Sequence, residues 1–254
     1  MPYSDRALED MRTRLAEMPR KAASLREAYV IRSYRHRRGR EFAFNGFSRR
    51  VGVLERCVEK VFEILPPERT MLPTRQELYD SDIHLHAFVF NIFGALDNLA
   101  WIWVYERLTG DGRPVIRSRD VSLNRADAAI RDSFSPAFQS YLTDLSSWFQ
   151  HQENYRHALA HRIPLYVPPY AVPASRQDEY ESLGARMQDA IVRRDFEEFD
   201  RLETAQIDLA SFQPHMIHSF EERSIPILFH RQLLADFLTI EEIAGRMLQE
   251  LNST

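Results

Sequence analysis

Apolar positions recur at spacings of three and four along most of this chain, with prolines between the runs. Leu8, Met11, Leu15 and Met18 share one helical face. Leu54, Cys57, Val58, Val61, Phe62 and Leu65 share another, which Pro66-Pro67 ends. Thr74 and Glu77 form a T-x-x-E capping box ahead of the longest run: Leu78, Leu85, Val89, Ile92, Leu96, Leu99 and Trp103. Gly110 offers the left-handed residue that closes it. Apolar residues also fill the other faces between Phe88 and Trp103, so this helix is expected at the centre of the molecule.

A loop is expected from Asp111 to Asn124, with Gly112 and Pro114 in it. A fourth helix begins at Ser135-Pro136, an N-cap followed by proline at the first helical position, and runs to about His161. Its apolar face is Phe138, Tyr141, Leu142, Leu145, Trp148 and Phe149. Prolines 164, 168, 169 and 173 then stiffen an extended strap. Further helices are expected over roughly 176–193, 196–212 and 226–251. The only strand signal is a minor ribbon near Val115 to Val121. The pattern predicts an all-α fold in a single domain, with a bundle core at about 74–170 and flanking helices over 1–65 and 175–252.

Composition changes this picture little. The 254 residues are 44% hydrophobic and 28% charged, which suits a chain that buries a core rather than a disordered one. A net charge of -4 gives no global basic field, so any contact with nucleic acid has to be local. Lys21 and Lys60 are the only lysines among 33 basic residues. Arginine forks onto phosphates and stacks on bases, although a GC-rich genome produces the same bias. One cysteine, Cys57, excludes an intrachain disulfide and a cysteine-based zinc site. The N-terminal residues lack a charged-then-apolar signal pattern. The most apolar stretch, Ala87 to Tyr105, carries Asn91, Asp97 and Asn98, each costly in lipid. A core helix, no membrane association and a cytoplasmic location are therefore expected.

Candidate chemistry gathers at Arg156-His157-Ala158-Leu159-Ala160-His161-Arg162, on the last turns of the fourth helix. The negative end of the helix dipole favours a charged imidazole there, and histidine moves protons near neutral pH. A nearby arginine can bind phosphate and offset charge that develops in a transition state. Such groups could cut RNA without metal, with histidine as acid or base and arginine on the phosphorane oxygens. Positions i and i+5 lie about 140° apart on a helix, so Arg156 and His161 cannot easily share one site within a subunit. A dimer axis would let the arginine of one copy meet the histidine of the other. The same Arg-to-His spacing class recurs from Arg223 to His230, where Pro226 interrupts it.

The Arg-x4-His pattern, with a polar residue after the arginine and the helix ending after the histidine, resembles the signature of the HEPN superfamily (higher eukaryotes and prokaryotes nucleotide-binding domains). The continuation from Arg162 through Pro164 to Pro169 resembles a prokaryotic subgroup. The segment Asn91 to Leu99 resembles the family's first long bundle helix. The resemblance covers residues 75 to 170. It implies a dimerising helical bundle and a metal-independent endoribonuclease of toxin or defence type, with an antitoxin protein as a further partner. It assigns Arg156 and His161 as the catalytic pair and His157 as the polar neighbour, where the family usually carries Asn or Asp. It places Asn91 or Asp97 as the residue that orients the motif arginine. No cofactor is implied.

Other readings stand beside it. Arg162 and His161 could simply cap the last carbonyls of the helix, with Arg156 paired to Glu153. That favours a non-catalytic interaction or nucleotide-binding module. His157 and His161 also have metal-ligand spacing, with His84, His86, His151, His215 and His218 as further candidates, but no HExxH motif accompanies them. Arg162, Arg35, Arg37 and Arg38 are candidates for RNA contact, and the last three lie in a basic segment followed by Phe42, Phe44 and Phe47. This is the composition of an RNA-contacting arm, or of a solvated turn whose aromatics dock into the core. No serine or cysteine nucleophile motif and no glycine-rich phosphate loop is present.

Overall fold

The computed structural model describes residues 3–110, 113–219 and 225–253. Asp111 and Gly112 at the start of the expected loop, and Arg223 of the second Arg-to-His match, lie outside the described residues. The fold is all-α: helix makes up 73% of it, and the strands among the described residues are two two-residue pairs.

Helix α1 (Asp5–Ile31) starts on Ser4, whose Oγ accepts from the Ala7 N–H at 3.3 Å. The expected Leu8–Met18 face is buried as far as Leu8, Met11 and Met18, with Leu15 half-buried. The helix continues through Pro19 to Tyr29 and Ile31. Tyr29 is fully buried and donates to the Ala244 carbonyl at 2.9 Å. Tertiary anchoring of this kind carries a helix past a proline that would end it in isolation.

A short helix α2 (Arg37–Glu41) leads into a π-helical segment, Phe42–Phe47, and then α3 (Ser48–Ile64). Phe47 is fully buried, its ring centroid 4.5 Å from that of Tyr29. The aromatics of the expected arm therefore dock on the core, while Arg35, Arg37 and Arg38 stay exposed. Buried Glu106 holds this entry. It accepts from the N–H groups of Arg35 (3.0 Å) and His36 (3.2 Å) and pairs with Arg32 at 3.2 Å.

Helix α4 (Arg75–Arg107) is the central element, and both halves of the Thr74/Glu77 capping box form. It packs chiefly on α3, and also on α6 (Ser146–His161) and α9 (Phe229–Asn252). The 18-residue window of α4 that is long and apolar enough to cross a membrane is 72% buried inside the fold, as expected of a core helix. The expected fourth helix divides into α5 (Pro136–Asp144) and α6 (Ser146–His161), because Leu145 leaves helical geometry at φ -83° and ψ 4°. Its expected ends, Ser135 and His161, agree with the structure.

Helix α9 (Phe229–Asn252) packs on α1, α3 and α4, and one continuous core joins Leu8 to Leu251. The terminal helices are thus core elements, not flanks around a 74–170 bundle. Helices α7 (Gln177–Arg193) and α8 (Phe196–Ile207) pack mainly on each other, and α8 ends before the expected 212. Ribbons form at Thr109–Gly110 with Arg113–Pro114 and at His215–Met216 with Ile227–Leu228, not at 115–121.

Candidate functional site

Tyr155 and Ala158 of α6 face inward and are buried, which leaves Arg156, His157, His161 and Arg162 on the exposed side. Arg156 turns towards α4. Its guanidinium carbon lies 5.4 Å from the centroid of the buried Phe93 ring, a cation–π geometry. One turn further along α4, Asp97 lies in the field of Arg156. Burial raises its pKa above the usual carboxylate range, while Arg156 and then Arg50 pull it back. The Asp97 side chain also keeps contact with water and lies in the field of both arginines.

His161 takes another direction. Its ring centroid lies 5.8 Å from that of His157, with planes tilted by 55°. No hydrogen bond or ion pair joins Arg156 to His161 among the described residues, as their angular separation on the helix requires. Arg162 folds back onto Asn154, donating to its carbonyl at 3.2 Å and to its Oδ1 at 2.6 Å. Asn154 lies two turns inside α6, so these bonds tie Arg162 to the body of the helix and do not cap its last carbonyls as expected. Arg156 sits on Phe93 and not on Glu153. Beside them His151, Glu153, Asn154, His157 and Arg162 line a groove of about 500 Å³.

The strap after the motif is clamped by α4. His86 Nε2 meets the Leu165 carbonyl at 2.5 Å, and Asp82 accepts from the Val167 N–H at 3.0 Å. Burial pushes the Asp82 carboxyl up to about 7, against the Val167 hydrogen bond. Leu165 and Val167 are buried, so the end of α6 is fixed from both sides.

Asn91 differs from its expected role. It holds Arg50 of α3 instead of Arg156: Arg50 Nη1 donates to Asn91 Oδ1 at 3.0 Å, and Arg50 Nε to Asn98 Oδ1 at 3.1 Å. Arg50 lies directly over Gly94, where a Cβ would collide with its guanidinium. Arg50, Phe93, Gly94 and Asn98 are the site residues that sequence reasoning missed. The signal was an Asn-x2-Gly-x3-Asn spacing, which puts two amides around a hole on one helix face.

Of the candidate metal ligands, His86 is occupied by the strap, and the rings of His157 and His161 face each other as a pair. Among the described residues no three His, Cys, Asp or Glu side chains converge to hold a metal ion. Cys57 is buried, with its thiol pushed up to about 11 by desolvation, and is no nucleophile.

No family model, curated protein or solved structure matches this chain.

Proposed function

We propose that this chain is a HEPN-like endoribonuclease that cuts RNA without metal at a site shared by two copies. The observation that carries this reading is the divergence of Arg156 and His161. Both are exposed at one helix end, yet Arg156 rests on Phe93 of α4 and the His161 ring lies beside His157. A twofold axis at this surface lets the arginine of one copy approach the histidine of its partner. The outer face of α4 supports such pairing. Tyr79, Ile83 and Phe90 are 49%, 62% and 44% exposed and, at ~100° per residue, fall on the same stripe as Asp97.

In this mechanism His161 removes the 2′-hydroxyl proton or delivers one to the leaving 5′-oxygen. Arg156 offsets the charge on the phosphorane oxygens. Asp97 and Phe93 orient Arg156, and His157 is the polar neighbour. The products are a 2′,3′-cyclic phosphate and a 5′-hydroxyl. As a toxin or defence enzyme it would act in the cytoplasm, with an antitoxin protein as partner.

Purified protein incubated with tRNA, mRNA and rRNA in EDTA tests this. The expected result is EDTA-resistant cutting that leaves cyclic phosphate ends and disappears in His161→Ala. Cutting retained in both Arg156→Ala and His161→Ala would overturn it. A second reading, a non-catalytic interaction or nucleotide-binding module, is favoured by one observation: Arg162 is engaged by Asn154 of its own helix. A folded wild-type dimer that cuts none of these RNAs would favour it.

A further inference from the structure

A second recess lies on the other side of α4's amide face from the motif. Arg38, Glu41, Phe42, Asn45, Gly46 and Asn98 line a cavity of about 200 Å³. That is below the ~300–1,000 Å³ of drug-sized sites, so it suits one ring system and not a whole nucleotide. One wall is the π-helical segment Phe42–Phe47. Such insertions are rare and concentrate at functional sites.

The lining has directional chemistry. Phe42 stacks near-parallel on Trp101 and Tyr105, with ring centroids 5.8 Å away in each case. On Phe42 rests Arg38, its guanidinium carbon 5.3 Å from the ring centroid. Glu41 fixes Arg38 at 2.8 Å, while the Arg38 side chain stays 56% exposed. The aromatic stack therefore ends in a guanidinium plane open to solvent, a surface on which bases stack.

Asn98 supplies the second, independent feature. It is 9% exposed, and its Oδ1 is taken by Arg50 Nε at 3.1 Å. This fixes the amide, so that Nδ2 is left as a donor with no hydrogen-bond partner among the described residues. Asn45, exposed on the π-helical turn, brings another amide to the same cavity. Gly46 keeps the space open: a Cβ there would meet Asn98 Oδ1 at 2.7 Å.

We infer that this cavity binds a single nucleobase of an RNA strand, stacked on Arg38 with its edge read by Asn45 and Asn98. The choice of RNA rests on the ribonuclease reading; the base-sized pocket does not. Asn98 and Phe93 are five residues apart on α4, roughly 7.5 Å along the axis, so the subsite and Arg156 could engage one strand.

The test is binding, read separately from cleavage. Protein with labelled asparagine side chains is titrated with AMP, GMP, CMP, UMP and ribose 5-phosphate. At least one mononucleotide is expected to shift the Asn45 and Asn98 amide resonances, and ribose 5-phosphate is not. Asn45→Ala, at an exposed position, and Gly46→Ala should each weaken that binding roughly tenfold or more. Equal shifts with ribose 5-phosphate, unchanged affinity in both variants, or no mononucleotide shift would each overturn the subsite. RNA cutting without nucleotide shifts would overturn the subsite alone. Shifts without cutting would support the subsite while overturning the nuclease.

Discussion

Arg50 is held by two amides over a gap that exists because residue 94 has no side chain. Gly94→Ala should expel the guanidinium, remove one of the two cations beside Asp97 and loosen Asn98. The expected outcome is lost nucleotide binding with helicity retained, checked by circular dichroism and titration. A variant that binds like wild type would contradict the role given to Arg50. A second residue-scale expectation concerns Asp236, which burial pushes up to about 6 although Trp148 and Gln232 donate to it at 2.7 Å each. A raised carboxyl stabilises the fold below its unfolded value of 3.8, and that contribution is lost as pH rises towards about 6. His230, lowered to about 4 by burial, works the other way: its contribution is present above 6.5 and lost as pH falls. Asp236→Asn should therefore remove the fall in Tm between pH 4 and pH 6 that Asp236 causes, relative to wild type. Identical Tm profiles for the two proteins would refute this. That Arg156 and His161 sit exposed on the last turns of α6 was legible from spacing, whereas the Arg50 contacts were not. A glycine between two amides on α4 says that something fills the gap, but not that the filler comes from α3.

Helices of three turns or more announced themselves wherever an apolar stripe and a capping signal coincided. The Thr74–Glu77 box is the clearest case, and Arg69 adds a forked pair to Glu77 at 2.7 and 2.9 Å. Thr74→Ala should cost about 1 kcal/mol in urea unfolding, since only the cap is removed. No change in unfolding midpoint would argue that Glu77 and Arg69 carry this end alone. Pro19 and Leu145 show where local signals stop. Pro19 is tolerated inside α1 because tertiary packing outweighs the lost hydrogen bond. Leu145 breaks a helix with no proline or glycine near it, and the apolar period passes through the break unchanged. The α2 and π-helical entry has the composition of a free arm because its anchor, Glu106, lies about 70 residues away in the chain. Glu106→Ala should destabilise the fold by about 3 kcal/mol or more, by stranding Arg32 and two backbone N–H groups. Wild-type unfolding of that variant would contradict the anchoring role.

At the scale of the whole molecule, the all-α class followed from periodicity, but the partition into core and flanks did not. An apolar stripe says that a helix will be covered, not which helix covers it, and α1 and α9 meet across most of the chain's length. On the proposed function, pairing of two copies uses the α4 stripe beside Arg156. Phe90→Arg, at a 44% exposed position, should leave the fold intact, shift light-scattering mass towards the monomer and abolish RNA cutting. A dimeric, active Phe90→Arg protein would mean that pairing uses another face. The most direct measurement is complementation. Arg156→Ala and His161→Ala proteins are each assayed alone, then unfolded together, refolded as a mixture and assayed again. A site built from one copy's arginine and the partner's histidine is expected to be dead in each variant. It should return in the mixture to about a quarter of wild-type activity, since about half the dimers are mixed and each carries one intact site. Activity in either variant alone, or none in the mixture while wild type cuts after the same treatment, would contradict the shared site.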